Sequence, residues 1–218
     1  NFKFRFYLEL TMLLRALVLL IIFSTNIFSK EIPIITITAP NKKPQSISTV
    51  GTSVTILDEK FLSNSSEHFL GDVLSNTTTS ANFFQSGGHG TASAIQLRGM
   101  PKRYSTVYID GVKMSDPSSV SGDFDFNHIL TSQISRVEIL KGNQSSVYGS
   151  GAIGGTINIT TKKGKPGLQK NISYITGSHG TNNLYASYSG ADENNNFYIG
   201  FGRFQTDGIS QMMHNEEK

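Results

Sequence analysis

The stretch Ile134-Ser-Arg-Val-Glu-Ile-Leu-Lys-Gly142 alternates apolar and polar side chains, a pattern typical of a β-strand. Val137 and Ile139 would face one side of a sheet, and the charged residues of the stretch would face the other. A glycine-rich run follows and leads into residues 156–160, which alternate in the same way. Since both strands have one apolar and one polar face, they predict a half-buried sheet.

Around these two strands the chain predicts a compact α+β domain. Three more segments have strand composition, namely residues 50–57, 94–98 and 107–110. The dipeptide Asp110-Gly111 is typical of a tight hairpin turn. Two helices are predicted, one at residues 66–74 with Ser65 or Ser66 as N-cap, and a short one at residues 125–134.

Composition excludes several classes of protein. The 218 residues include no cysteine, which excludes a disulfide scaffold and a thiolate zinc site. The net charge of +3 is mild and the lysines are scattered, so nucleic acid is not an expected partner. A small cluster at Lys162, Lys163 and Lys165 is interpreted as a solvated turn. Only 16% of the residues are charged and 21 are glycine, which favours a β-rich protein with many turns.

No catalytic or metal-binding pattern is recognisable. The run Gly149-Ser-Gly-Ala-Ile-Gly154 has the spacing of a dinucleotide-binding loop, but β-like sequence follows it where that loop needs a helix. The five histidines lack the spacing of metal ligands, and no Ser-His-Asp or paired-carboxylate arrangement emerges. We therefore expect a protein that is not an enzyme and carries no cofactor.

The first 29 residues predict a secretory signal peptide, with Met12 as a candidate initiator. Arg15 supplies the positive charge, the apolar run spans residues 16–23, and Ser29 is a small residue after which cleavage can follow. Polar residues interrupt this run well before the roughly 20 apolar residues that a membrane anchor needs. The mature protein is therefore expected to be exported.

Residues 30–45 combine a β-prone segment with a polar linker. The segment lies between Pro33 and Pro40 and is rich in isoleucine and threonine. It cannot bury itself in a sheet of its own, so it is either a disordered tail or a segment that forms a strand by pairing with a partner.

Beyond residue 165 the helical periodicity disappears. Three segments alternate apolar and polar side chains between turns rich in glycine and asparagine, at residues 171–176, 184–189 and 196–204. In the last of them Phe197, Ile199 and Phe201 share a face opposite two glycines, which is the pattern of membrane β-barrel strands. Three strands cannot close a barrel. Residues 166–218 are thus either the start of a truncated transmembrane β-barrel, which we expect, or part of a soluble sheet.

Three charged residues lie within otherwise apolar strands, namely Arg98, Arg136 and Glu138. Their spacing places them all on the polar faces of those strands. Either these faces are exposed to solvent, or they meet another wall of protein, where buried charges must be paired.

The order and spacing of four motifs resemble the plug domain of TonB-dependent receptors. The motifs are Ile95-Gln-Leu-Arg-Gly99, Val107-Tyr-Ile-Asp-Gly-Val112, the stretch 134–142 quoted above, and the run 145–159. Lys141 stands where the family more often has arginine, and Asn143 where it often has proline. The resemblance covers residues 33–165 and places the plug at residues 46–165.

This resemblance implies a mixed sheet with small helices, lodged inside a barrel of about twenty-two strands. The barrel would lie in the outer membrane of a Gram-negative bacterium, surrounded by membrane lipid. Arg98, Arg136 and Glu138 would then make ionic contacts with the inner barrel wall.

The β-prone segment is similar to the Ton box, through which such receptors bind TonB. The resemblance implies that this segment faces the periplasm and adds as a strand to the C-terminal domain of TonB. The implied TonB-binding residues are Pro33, Ile34, Ile35, Thr36, Ile37, Thr38 and Ala39.

Within the family, Gly87-Gly-His-Gly90 and Ser119-Val-Ser-Gly122 are similar to the plugs of cobalamin receptors. This implies energised uptake of cobalamin, with a ferric siderophore or haem as the alternative small-molecule ligand. Two loops beyond strand ends are expected to form the outer apices that contact the ligand, through Met100, Pro101, Lys102, Arg103, Tyr104, Asp116, Pro117, Ser118 and Ser119. The competing classes of function are a secreted nucleotide-dependent enzyme and a passive porin or adhesin.

Overall fold

The computed structural model describes residues 34–35, 45–46, 52–120 and 122–208. The strands are β1 (Ile34–Ile35), β2 (Gln45–Ser46), β3 (Ser53–Asp58), β4 (Ala81–Gln85), β5 (Ser93–Leu97), β6 (Ser105–Ile109), β7 (Val112–Met114), β8 (Ile134–Lys141), β9 (Gly155–Thr161), β10 (Gly167–Thr176), β11 (Asn182–Ala191) and β12 (Asn196–Gln205). The α-helices are α1 (Glu59–Asn64), α2 (Leu70–Thr77) and α3 (Ser145–Tyr148), and short 3₁₀ helices lie at Lys102–Tyr104 and Thr131–Gln133.

A five-stranded mixed sheet with the strand order β3-β8-β9-β6-β7 forms the centre of the domain. Only the β6–β9 pair is parallel, and the other neighbours are antiparallel. One face carries the main core, to which the strands and the first two helices contribute Leu57, Leu62, Leu70, Val73, Leu74, Val107, Val137, Ile139, Ile157 and Ile159. The strands predicted from alternation are confirmed, and the alternating apolar residues do form this core.

The second face of the sheet is also covered at its centre, so the expectation of a half-buried sheet was wrong there. Leu140, Tyr148 and Ala152 form a smaller buried cluster, against which Val54 and Tyr108 pack. Helix α3 and the glycine-rich loop after it supply two of these three residues. These two residues follow β8 in the chain and fold back over that strand. The alternation of apolar and polar residues within the strands therefore does not reveal that the second face is covered.

The predicted hairpin between β6 and β7 is confirmed. Asp110 and Gly111 have φ angles of +48° and +85°. Positive values at both central residues define the type I′ turn, which matches the twist of the flanking strands.

The helix predicted at residues 66–74 begins later, at Leu70. Phe69 is extended, with φ −105° and ψ 141°, and forms an antiparallel bridge with Leu130. The Leu70 amide then donates to the Ile129 carbonyl oxygen at 2.9 Å. Pairing with a segment 60 residues away therefore overrides the local helical pattern. Helix α1 was not predicted, although Asp58 caps it by accepting a hydrogen bond from the Phe61 amide at 2.7 Å.

The second predicted helix, at residues 125–134, was wrong. The chain forms a turn at residues 127–128, a bridge at Leu130 and then a single 3₁₀ turn. Asp125 Oδ1 accepts hydrogen bonds from the Ser93 hydroxyl at 2.7 Å and from the Asn127 amide at 3.1 Å. An aspartate that binds nearby backbone in this way favours a turn over a helix.

Residues 167–205 form an antiparallel three-stranded sheet with the order β10-β11-β12. All three strands are ten residues long, which extends the three predicted segments. Ile172, Ala186 and Phe201 are cross-strand neighbours on one face, whereas Ser173, Tyr185 and Gly202 share the other. The outer face is apolar and exposed, with Ile172 79%, Ile199 64% and Phe201 60% exposed.

Candidate functional site

The segment predicted to bind TonB is paired within the chain. Ile34 lies opposite Ser46 and Ile35 opposite Gln45 in the two-residue antiparallel pair β1–β2. Pro33 and residues 36–39 lie outside the described residues, as does the predicted signal peptide. The part that is described has the extended, strand-forming backbone that strand addition requires. Its role in binding TonB stays a prediction.

The two loops predicted as ligand-contacting apices lie together. Lys102 of the first loop forms an ion pair with Asp123, at the end of the second. Ser119 donates its hydroxyl to Asp123 Oδ1 at 3.0 Å, and the Asp116 amide donates to the Asp123 carbonyl oxygen at 3.3 Å. Asp123, which the sequence did not single out, is thus the residue that joins the two loops.

The second loop is held in shape by its own hydrogen bonds. Asp116 Oδ1 accepts from the Ser118 amide at 2.8 Å and from the Ser118 hydroxyl at 2.6 Å. The hydroxyl bond, followed by the amide bond, lowers the pKa of Asp116 below its ordinary value, so the carboxylate is charged at neutral pH. Pro117 and Val120 are exposed on this braced loop. In the first loop, the Arg103 guanidinium lies over the Tyr104 ring at 5.3 Å.

A third loop, at residues 86–92, was not among the predicted site residues. It is the tip of a hairpin formed by β4 and β5, and β4 itself was not predicted. The side-chain amide of Asn127 donates to the Gly90 carbonyl oxygen at 3.3 Å, and this bond connects the tip to the turn at residues 127–128. The aromatic pair Phe83-Phe84, together with the glycines that follow, is the sequence signal that could have identified this hairpin.

The three charged residues do not share one environment. Arg98 lies just beyond β5 with a left-handed φ of +55°, so its placement on a polar strand face was wrong. Arg136 and Glu138 lie on β8, where Arg136 Nε donates to Glu138 Oε1 at 2.5 Å. Glu138 is only 2% exposed, with Ile56 and Asn158 as its cross-strand neighbours. The predicted ionic contact of these three residues with the inner barrel wall stays a prediction.

We expect that Arg136→Met will lower the free energy of unfolding of the chain by about 3–5 kcal/mol, because it leaves the buried Glu138 carboxylate without its guanidinium partner. The double variant Arg136→Met, Glu138→Leu should recover much of that loss. Urea denaturation of the full chain measures both. Lys165→Met is the matched control, since both members of its ion pair with Glu59 are exposed (67% and 39%) and the pair should contribute below about 1 kcal/mol. Equal costs for the two single variants would contradict the prediction.

The inner face of the three-stranded sheet packs against the plug. The Phe204 ring lies 5.0 Å from the Phe69 ring in an edge-to-face arrangement, and His68 Nδ1 is 3.1 Å from Asn183 Nδ2. An added Cβ at Gly202 would come within 2.9 Å of Leu130 Cδ1, so the small residue permits this close approach. Burial lowers the pKa of His68. The negative charge of Glu67 raises this pKa and the nearby His89 lowers it, and the net shift is downward. His68 is therefore uncharged at neutral pH.

A cavity of about 800 Å³ lies between the plug and one end of this sheet, the end at which the turn between β10 and β11 lies. It is lined by three histidines, His68, His89 and His179, and by Phe204. The glycine-rich tip forms one wall, and the turn between β10 and β11 forms another. The five histidines were predicted to lack ligand-like spacing along the chain, but the fold brings three of them to one cavity.

Within residues 34–35, 45–46, 52–120 and 122–208, no three histidine or carboxylate side chains are close enough to hold a metal ion. Among the same residues, no helix is both long and apolar enough to cross a membrane. The glycine run 149–154 is followed by strand β9, as predicted, and not by the helix that a dinucleotide-binding loop requires.

Residues 46–156 match the family model described as the TonB-dependent Receptor Plug Domain. This match spans half of the chain, and the chain therefore belongs to the TonB-dependent receptor plug family. The family comprises transport receptors of the Gram-negative outer membrane, which are not enzymes. The predicted plug domain is thereby confirmed.

Solved structures of such receptors have the same fold. The ferric yersiniabactin uptake receptor FyuA from Yersinia pestis is 23% identical, with a TM-score of 0.54 over 71% of this chain and 24% of its own. The siderophore receptor PiuA from Acinetobacter baumannii is 20% identical, with a TM-score of 0.58 over 79% and 24%. The copper transporter OprC is 21% identical, with a TM-score of 0.58 over 71% and 24%. The chain thus spans about a quarter of the length of these receptors.

Proposed function

We propose that the chain supplies the plug and the first barrel strands of an outer-membrane receptor that takes up a scarce, bulky, metal-containing nutrient with energy from TonB. One observation carries this proposal: a plug-family domain is followed directly by three strands that turn a polar, small-residue face to the plug and an apolar face outward. Strands of a membrane barrel alternate in this way, because lipid touches one face and the lumen the other.

In the proposed mechanism, the substrate binds at the outer apices formed by residues 100–104 and 114–122. The β-prone segment at residues 33–39 binds the periplasmic C-terminal domain of TonB by strand addition. TonB then transmits energy from the proton gradient of the inner membrane and rearranges the plug. No covalent chemistry is part of this cycle.

We propose cobalamin as the substrate, with a ferric siderophore or haem as the alternative. The similarity of the motifs at residues 87–90 and 119–122 to the plugs of cobalamin receptors supports cobalamin. The solved receptors described above include two for siderophores, which supports the alternative equally.

The test is uptake and surface binding of labelled cobalamin, ferric siderophore and haem by cells that make the receptor, with and without TonB. For one of the three, uptake should stop without TonB while surface binding persists. Uptake that continues without TonB would instead indicate a passive porin.

Replacing residues 100–104 and 114–122 with glycine and serine should weaken surface binding of that substrate, since both loops would lose their braced shape. Replacement of the turn at residues 192–195, at the other end of the sheet, is the matched control and should leave binding unchanged. Unaltered affinity for all three substrates after the loop replacement would contradict the assignment of the apices.

A further inference from the structure

A different cavity, of about 430 Å³, lies between the plug and the opposite end of the three-stranded sheet, the end at which β10 begins. Three lysines line it, namely Lys162, Lys163 and Lys165, and Glu59 is the one carboxylate among its described lining residues. Three ammonium groups against one carboxylate give the lining a formal charge of +2. A concave surface with an excess of positive charge raises the local concentration of anions.

The three-stranded sheet adds hydroxyl and amide groups to this cavity. They belong to Gln169, Asn171, Ser187, Ser189 and Tyr198. Cross-strand pairing places all five on the face that also carries Tyr185 and turns to the plug. Such groups can donate hydrogen bonds to phosphate or carboxylate oxygens, and no valine, leucine or isoleucine is among the described lining residues. The cavity thus has the chemistry of an oxyanion site.

Lys162 is the lysine that most needs a closer partner. Its side chain is only 19% exposed, so the interpretation of the lysine cluster as a solvated turn was wrong for this residue. Its Nζ lies 3.8 Å from Glu59 Oε1, which is longer than a hydrogen bond of about 2.7–3.2 Å. The other oxygen of Glu59 accepts a hydrogen bond from Lys165 Nζ at 2.9 Å. A mostly buried ammonium is unfavourable unless it is closely paired, and a bound oxyanion would supply that pairing.

The segment that carries the lysines is held against the sheet. The Lys162 amide donates to the Gln133 carbonyl oxygen at 2.9 Å. An added Cβ at Gly164 would come within 2.6 Å of the Phe197 carbonyl oxygen and would also overlap the Gly190 carbonyl oxygen. Because the backbone is fixed on both sides, little conformational entropy is lost when a ligand binds between the lysines and the sheet.

The cavity lies at the end of the plug that is remote from the loop at residues 100–104, one of the two predicted to contact the substrate. Strand β9 begins at Gly155, which pairs with Ser105 directly after that loop. The strand ends at Thr161, next to the lysines. In a receptor, a substrate that has left the outer loops would meet this cavity on the far side of the plug.

We propose that Lys162 and Lys163, together with the hydroxyl and amide groups of the sheet, bind an oxyanion group of the substrate, a phosphate or a carboxylate, as the substrate passes the plug towards the periplasm. This inference rests on the proposed receptor function and adds a site on the exit side to the predicted outer one. Glu59 competes with the oxyanion for the same ammonium groups and so lowers the affinity of the site. No covalent bond forms or breaks in this step.

The first test is a lysine footprint on the purified receptor that carries this chain, with inorganic pyrophosphate as the probe. A trace of acetic anhydride acetylates accessible lysines, and mass spectrometry measures the rate at each one. At ten times its Kd, pyrophosphate should slow acetylation of Lys162 and Lys163 about tenfold, because the free fraction of a site falls with ligand concentration. Lys60 is the control lysine, since it is exposed at the same end of the plug but does not line the cavity.

Two variants should change the affinity for pyrophosphate in opposite directions. Lys162→Gln should weaken protection of Lys163 by about 10- to 150-fold, the range for one hydrogen bond to a charged group. Glu59→Gln should strengthen protection by about two- to fivefold, the range for one exposed ion pair. A folding defect would not tighten binding, so the second variant separates a ligand site from a structural role. Lys60→Gln is the matched control and should change neither value.

The second test connects the site to transport. Each anionic substrate is paired with a neutral counterpart: cobalamin with cobinamide, which lacks the phosphate group, and haemin or a carboxylate siderophore with its methyl ester. In cells with TonB, the double variant Lys162→Gln, Lys163→Gln should slow uptake of the anionic member and leave uptake of its counterpart unchanged. Surface binding of both should persist, because the outer loops lie at the other end of the plug.

Three outcomes would overturn the inference. The first is equal acetylation of Lys162 and Lys163 with and without pyrophosphate. The second is weaker protection in Glu59→Gln. The third is normal uptake of the anionic substrate by the double variant, which would assign the site to free phosphate and not to the substrate. The footprint involves neither TonB nor the substrate. Uptake that is independent of TonB would therefore refute the proposed function, while the footprint would still decide whether the oxyanion site exists.

Discussion

Replacing Ile35 with proline should abolish energised uptake of the substrate while leaving its binding at the cell surface intact. Strand addition to TonB depends on backbone hydrogen bonds and extended geometry more than on side-chain identity. Ile35 already has such a backbone, because it pairs with Gln45 across the antiparallel strands β1 and β2. Proline removes the amide N–H and fixes φ near −65°, so it weakens any strand that this segment joins.

The comparison that makes this result informative is Ile35→Ala, which keeps the N–H and should do much less harm. Uptake of labelled substrate and surface binding are measured in the same cells. Normal transport by the proline variant would show that the segment is only a tail and that coupling occurs elsewhere. Loss of surface binding in the proline variant would indicate a folding defect, and would not support a role in coupling.

Alternation along single strands predicted most of the central sheet. Val137 and Ile139 are fully buried as expected, and the Asp110-Gly111 turn closes β6 on β7. These features are local, because a period of two residues fixes which side chains share a face and two central residues define the turn. The three later strands were likewise found at their predicted places, and their faces followed the predicted alternation.

Features set by distant contacts were missed. Phe69 is extended and pairs with Leu130, and Glu138 is only 2% exposed although it lies on the predicted polar face of β8. The three histidines of the cavity are separated by up to 111 residues along the chain, from His68 to His179, so no sequence spacing reveals them. Arg98 shows the same limit, since its left-handed backbone follows from the end of β5 and not from the strand pattern.

Gly155→Ala should destabilise the plug more than any surface change, because this glycine begins the central strand β9 with a φ of +149°. An added Cβ would overlap the Leu140 carbonyl oxygen of β8 and would stand 2.8 Å from Leu97 Cδ1 in the core. Overpacking costs about 1–3 kcal/mol, and a disfavoured backbone conformation costs about 1–3 kcal/mol more. A combined loss of roughly 2–6 kcal/mol is comparable to the total stability of a small domain, about 5–15 kcal/mol.

Gly149→Ala separates the two contributions. Gly149 also has a positive φ, of +86°, but an added Cβ there would meet no atom within 4 Å. Its cost should therefore be only that of the backbone, about 1–3 kcal/mol, because φ +86° with ψ 175° is a conformation that almost only glycine adopts. Urea denaturation of the full chain followed by circular dichroism measures both variants, because the chain has no tryptophan to report by fluorescence. Equal losses of stability in the two variants would contradict this prediction. They would show that the backbone conformation alone accounts for both losses and that contact of the added Cβ with β8 costs nothing at Gly155.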